Sequence, residues 1–216
     1  MILGKAALRE AIIQGTIKLD DDHGNTLPEW ADMIHGYFGI PGKDPIALQP
    51  ASIDLHFGNE WLVPRPNQER MAPGMFGARR DWAFEKYTDA KLPVEYDTTV
   101  ADSFLIPAHG FVLVRTKEVI GLPEDLQGFV DGRSSVGRLG LIIETAGLID
   151  AGFYGSITCE LLNVLPNPLR VYAGMRGCQI TFEQIAGSTE GGYQSKGKYH
   201  GQVATTGTML HRDFEA

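Results

Sequence analysis

Several familiar signatures are missing from this chain, and each absence closes off a class of function. There are two cysteines, Cys159 and Cys178, in 216 residues. No C-x-x-C spacing occurs, so a cysteine-built zinc site is excluded. A GxxxxGK[ST] loop is also absent, which removes the P-loop nucleotidases. Positive charge is scarce: 19 Lys and Arg against 27 Asp and Glu give a net charge of −8. A broad nucleic-acid face needs the opposite balance. A small polyanion can still bind, but only at a local cluster of donors. No apolar run approaches membrane-spanning length, and the first residues, MILGKAALREAIIQG, lack the pattern of a secretory leader. Unpaired thiols suit a reducing compartment. The expectation is a soluble, cytoplasmic protein with no nucleic-acid or membrane partner.

What remains is ordinary globular composition, 43% hydrophobic and 21% charged. The length suits one well-cored domain, 1–216. Residues 5–14 read as a short amphipathic helix, with Leu8, Ala11 and Ile12 on one face and Gly15 as its stop. Thr16 to Leu19 reads as a strand. Ser52 to Phe57 alternates polar and apolar, with Gly58 as a break. Short strands then recur at Ser103–Ile106, Gly110–Thr116, Leu126–Val130, Leu139–Ile143, Ser156–Val164, Leu169–Tyr172 and Cys178–Phe182. Pro and Gly punctuate them. This pattern predicts an all-β sandwich or barrel with a short N-terminal helix. Residues 20–48 and 64–100 read as insertions. Arg65, Arg70, Arg79 and Arg80 in the second are expected to be solvated loop charges. The Gly-rich segment 186–216 reads as a tail, mobile without a partner.

The chemistry concentrates in DGRSSVGRLGLIIETAGLIDAGFYGSITCELLN, residues 131–163. In Ser156–Leu162, Ile157, Cys159 and Leu161 share one face of a strand, while Thr158, Glu160 and Leu162 share the other. Glu160 therefore sits mid-strand. Burial would raise its pKa and a nearby arginine would lower it, so it could exchange a proton near neutral pH. A structural ion pair is the competing meaning of such a residue. Gly132-Arg133-Ser134-Ser135 offers hydroxyls, a guanidinium and free N–H groups, the donors of a polyphosphate site. A helix cap would be its commoner meaning. Asp150 before Ala151-Gly152-Phe153 suggests an Asx-type turn or, with the aromatic, a sugar contact.

These segments, DGRSSVGRLGL, TAGLIDAGF, ITCELLN and the tail GYQSKGKYHGQ, with PASIDLHFG upstream, resemble the dCTP deaminase branch of the dUTPase-like superfamily. The resemblance covers residues 47–62 and 103–205. It implies a distorted β-barrel or jelly-roll of the dUTPase-like type. It implies hydrolytic deamination of dCTP, with Glu160 as the base that activates water, Arg138 holding that glutamate and Ser134 near the water. Arg133, Ser134 and Ser135 would line the triphosphate site. Ala146 would hold the water through its carbonyl. Asp150 would bind the deoxyribose 3′-hydroxyl and Phe153 would lie under the sugar. Tyr193, Lys198 and Gln202 would close over the phosphates. A homotrimer with interfacial active sites is implied, with Mg2+ carried by the nucleotide.

The zinc-deaminase signature H-x-E…P-C-x-x-C is absent, so a zinc-independent route through one carboxyl is expected. TAGLIDAGF is closest to the bifunctional members, which go on to cleave dUTP to dUMP and pyrophosphate. Two departures stand out. The spacing between Arg138 and Asp150 is one residue short, and a histidine often found there in the family is absent, with Glu144 nearby, so dTTP feedback is open. A plain dUTPase and a silent trimeric nucleotide-binding module are the alternatives. Glu160 speaks against the first, and retention of Arg138, Glu160 and the tail against the second.

Overall fold

The computed structural model describes residues 1–20, 47–66, 94–144 and 146–214. Of the two expected insertions, 21–46 and 67–93 lie outside these residues, as do Arg70, Arg79 and Arg80. Helix α1 spans Lys5–Ile13 and buries Leu8 and Ile12, one turn apart on one face. Eleven strands follow among the described residues: β1 Lys18–Asp20, β2 Ile53–Pro66, β3 Val94–Val100, β4 Ser103–Ile106, β5 Phe111–Gly121, β6 Leu126–Gly132, β7 Leu141–Glu144, β8 Leu148–Ile149, β9 Tyr154–Asn163, β10 Leu169–Tyr172 and β11 Arg176–Gln184. A single helical turn, α2, covers Ser134–Gly137.

The fold is all-β, as expected. The main sheet runs β7-β9-β5-β2-β11-β6-β8, with β1 added to β5 and β3 to β2; β4 and β10 form a separate ladder. Every described pairing is antiparallel. The sheet curls so that β6 approaches β7, giving a half-barrel. Its interior holds Leu55, Phe57, Val114, Ile120, Cys159, Leu161, Ile180 and Phe182, all fully buried. Each such large side chain contributes roughly 1.5–3 kcal/mol by leaving water. Cys159 and Cys178 are both buried, with their sulfurs 3.8 Å apart as free thiols. The hydrogen bond with the Cys159 thiol, and then burial, push Cys178 well above its ordinary pKa.

Two expectations fail here. Gly58 does not end its strand. β2 runs on to Pro66, with only a register irregularity against β5 between Phe57 and Trp61. The side chain and carbonyl of Arg115 lie over Gly58, so the missing side chain makes room for a neighbour instead of breaking the ladder. The strand then delivers Trp61 to the core. Trp61 stacks on Phe104 at a centroid distance of 5.6 Å, and its indole N–H donates to the Ala101 carbonyl at 2.9 Å. Residues 64–66 and 94–100, read as parts of an insertion, are the arms of a β2–β3 ladder. Arg65 is exposed, but it is paired across that ladder with Glu95 at 2.6 Å and Asp97 at 2.9 Å.

The tail has a defined path in this structure. From residue 186 to 214 it lies along its own chain. Tyr193 N–H donates to Ala151 O at 2.7 Å, Gly201 N–H to Tyr154 O at 2.6 Å, and Gln202 O accepts from Ser156 N–H at 2.8 Å. Short 3-10 turns form at Tyr193–Ser195 and Leu210–Phe214. A polar, Gly-rich segment with no core of its own is held by main-chain hydrogen bonds to a strand that offers free partners. No described helix is long and apolar enough to cross a membrane.

Candidate active site

Strand β9 sorts its side chains as the alternation predicts. Ile157, Cys159 and Leu161 enter the core, while Thr158, Glu160 and Leu162 are half-buried on the other face. That face opens on a cavity of about 370 Å³, within the usual range for a small-molecule site. It collects six of the residues singled out in the sequence: Glu160, Asp150, Phe153, Ala146, Tyr193 and Gln202.

Glu160 lies at its centre of interest. Burial raises its carboxyl to about pKa 7; its own backbone N–H lowers it and the Glu144 carboxylate adds to the rise. Oε2 is buried with no hydrogen-bond partner. An orphaned acid of this kind costs stability, and its pKa suits acid–base work near neutrality.

At the other end, the turn after β8 presents Asp150 to the cavity. The turn is closed by the main chain, Phe153 N–H to Asp150 O at 3.1 Å, so no Asx-type side-chain bond is needed. Phe153 is buried and packs against Tyr193 with centroids 5.8 Å apart. Gly147, with φ +69, has a Cβ position that the Phe129 ring would overlap. Glycine is required there by conformation and by that ring. Gln202 is pinned by Nε2 to Ser156 O at 2.7 Å, and its Oε1 is buried without a partner.

Four cavity residues had no signal in the sequence: Tyr96, Tyr199, Thr206 and Thr208. Tyr96 arrives from β3. Its hydroxyl accepts from Thr208 N–H at 3.2 Å, and that of Tyr199 accepts from Met209 N–H at 3.0 Å. Thr158 Oγ1 accepts from Thr206 N–H at 3.2 Å. The segment 205–209 is thereby fastened beside Glu160. Burial, chiefly, raises the Tyr96 phenol, so it stays a proton donor.

Five expected residues do not join this cavity. Arg133 is drawn to the buried Asp54, with Nη2 to Oδ2 at 3.1 Å, an oxygen shared with Arg176 Nη1 at 3.1 Å. Burial holds the Asp54 carboxyl above its ordinary range despite the two arginines. Ser134, Ser135 and Arg138 are exposed on or beside α2. Arg138 Nε donates to Ser134 Oγ at 3.2 Å and does not meet Glu160. Lys198 pairs with Asp213 at 2.6 Å. The expected Arg138–Glu160 contact is therefore absent within one chain, because α2 and β9 present these groups to different surroundings.

A family model described as dCTP deaminase-like matches residues 33–185. The chain belongs to that family. Among curated relatives, "dCTP deaminase, dUMP-forming" of Sulfurihydrogenibium sp. is 40% identical over 82% of this chain and 91% of its own length. The Aquifex aeolicus protein of the same name is 35% identical over 100% of this chain and 98% of its own. The fold is that of the crystal structure of 2′-deoxycytidine 5′-triphosphate deaminase from Agrobacterium tumefaciens, with TM-score 0.52 and 22% identity. The match covers 86% of this chain and 48% of that one.

Proposed function

We propose that this deaminase-family chain hydrolyses dCTP to dUTP and ammonia, and then dUTP to dUMP and pyrophosphate, without zinc. The observation that carries the reading is Glu160, a buried carboxyl of pKa about 7 with one unpartnered oxygen, in a nucleoside-sized cavity. Water adds to C4 of cytosine as Glu160 takes its proton. That proton passes to N3; Glu160 then carries the proton of the new C4 hydroxyl to the amino group, the C4–N bond breaks as the C4 carbonyl forms, and ammonia leaves. One group must both accept and return protons, which favours a pKa near the working pH. Asp150 and Phe153 fit the sugar, as a carboxylate acceptor and an apolar ring. Ala146 would hold the water through its carbonyl. Tyr193 and Gln202 would close on the nucleotide from the tail, joined by Lys198 once it leaves Asp213. The names of the relatives support dUMP as the final product.

The same reading assigns Arg138, Ser134, Ser135 and Arg133 to a neighbouring copy's site in a homotrimer. Among the described residues Glu160 meets no cation and Arg138 no carboxylate. Exposed apolar side chains, Phe129, Leu139, Ile142 and Leu148, occupy the same region of β6–β8 and suit association of copies. Among the described residues no three His, Cys, Asp or Glu side chains converge to hold an ion. Mg2+ fits as a hard ion arriving on the triphosphate, which supplies several of its ligands, and no residue of this chain is assigned to it; when bound it would neutralise phosphate charge. Supply of dTTP precursor in a reducing cytoplasm follows from this reading. The deciding experiment incubates the protein with dCTP and Mg2+ and measures ammonia and pyrophosphate together. Ammonia with dUTP accumulating would leave a monofunctional deaminase, and neither product would reject the reading.

A further inference from the structure

Glu144 ends β7, and its register partner across the β7–β9 ladder is Glu160. The neighbouring rungs, Ile143 with Leu161 and Ile142 with Leu162, fix this alignment. Residues directly opposed in an antiparallel pair share a face, with Cβ atoms about 4.5–5.5 Å apart. Like charges so placed repel, which a purely structural ladder avoids. Glu144 is exposed and lies outside the cavity lining, so it does not touch a nucleotide held there.

We propose that Glu144 is a positioning residue for the reaction, acting on Glu160 across the strand pair through its charge. A carboxylate opposite the base disfavours a second negative charge and makes Glu160 hold a proton more firmly. The other ionisable groups around Glu160 act differently. On the far side, β5 presents Leu113 as the register partner, which carries no charge. Tyr96 from β3 and Tyr193 and Tyr199 from the tail bring phenol rings rather than carboxylates. Asp150 stands at the sugar end of the cavity. An arginine from a neighbouring copy would pull the opposite way, so Glu144 sets how far that cation can lower the base.

The inference rests on Glu160 being the base of the proposed reaction. Its test is the pH profile of kcat/KM for ammonia release from dCTP at low ionic strength, for wild type, Glu144→Gln, Glu144→Lys and Glu144→Asp. The acid limb should move to lower pH by about half a unit in Glu144→Gln, the size of a Coulomb effect across a solvated strand pair. It should move further in Glu144→Lys and return in Glu144→Asp. Added salt should shrink the difference. In parallel, carbon-13 NMR of the side-chain carboxyl follows Glu160 in the same variants without substrate. An unmoved limb and an unmoved NMR midpoint would overturn the inference. Absence of ammonia from wild type would instead reject the functional reading, while the NMR midpoint would still report whether Glu144 acts on Glu160.

Discussion

The Tyr96 hydroxyl accepts a hydrogen bond from the backbone N–H of Thr208 at 3.2 Å. The contact ties the β2–β3 ladder to a tail residue more than a hundred positions away, directly beside the catalytic candidate. Tyr96→Phe removes the acceptor while keeping the ring. We expect KM for dCTP to rise a few-fold with a smaller change in kcat, because closure weakens and the chemistry does not. Gly207 lies against the same ring, and a methyl there would overlap it. Gly207→Ala should raise KM more than Tyr96→Phe does. Equal KM values for all three proteins would mean that this segment does not cover the bound nucleotide.

Glu160→Gln should abolish ammonia release while retaining nucleotide binding, since an amide cannot take the proton of water. Cleavage of added dUTP should survive in part, because attack at phosphorus does not need that base. Steady-state kinetics on the two substrates separate these outcomes. A loss of ammonia release by only a few-fold would reassign Glu160 to structure.

If Arg138 serves a neighbouring copy, two inactive variants should rescue each other. Co-refolding Glu160→Gln with Arg138→Ala should restore about one site in four under random mixing, because a site takes its glutamate and arginine from different chains. Ammonia release by the mixture reads this directly. No recovery, with mixed trimers verified by mass, would place both groups in one chain.

The pH sign is fixed by the raised carboxyl. Glu160 has a pKa of about 7 in the isolated fold against 4.5 ordinarily. The folded state thus binds the proton more tightly than the unfolded chain. Its contribution is fully present below about pH 4.5 and is lost as pH rises through 7. Glu160→Gln should therefore raise the melting temperature more at pH 8 than at pH 5, most clearly in a monomeric preparation. The opposite ordering in calorimetry would show that the acid is charged and paired instead.

Asp54 joins Arg133 and Arg176 at one buried oxygen. Asp54→Ala leaves two guanidiniums without their shared partner and should cost roughly 3–5 kcal/mol in chemical denaturation. A loss below about 1 kcal/mol, as typical of exposed pairs, would show that the arginines find other partners.

The strand series from residue 103 onward was readable because period-two alternation and Gly/Pro turns act locally. The placement of Glu160 followed from the same alternation. Gly58 misled because its meaning depends on Arg115, a residue on another strand. Tyr96 and Thr206–Thr208 carried no signal, since their roles are set by backbone N–H groups that no side-chain pattern encodes. The path of the tail was not legible from its composition, because its hydrogen-bonding partners are spread over β2, β3, β5, β9 and the turn before β9. Asp54 drew no notice within PASIDLHFG, because a buried acid looks like an exposed one until its arginines are placed.

The fastening of the tail has an asymmetric consequence for sequence drift. At Tyr193, Gly201, Thr206, Thr208 and Met209 the tail donates its main-chain N–H groups. Only proline abolishes such a donor, so most replacements at Thr206 and Thr208 leave the fastening intact, whereas Gly201, with φ +80, is held to glycine by its backbone. Two acceptors, the Thr158 and Tyr96 side chains, belong to the barrel and are lost with a single atom. Mutational tolerance should therefore divide within the strap: positions that donate only a main-chain N–H, such as Thr206 and Thr208, can vary, while Gly207, packed on the Tyr96 ring, and the Thr158 and Tyr96 acceptors cannot.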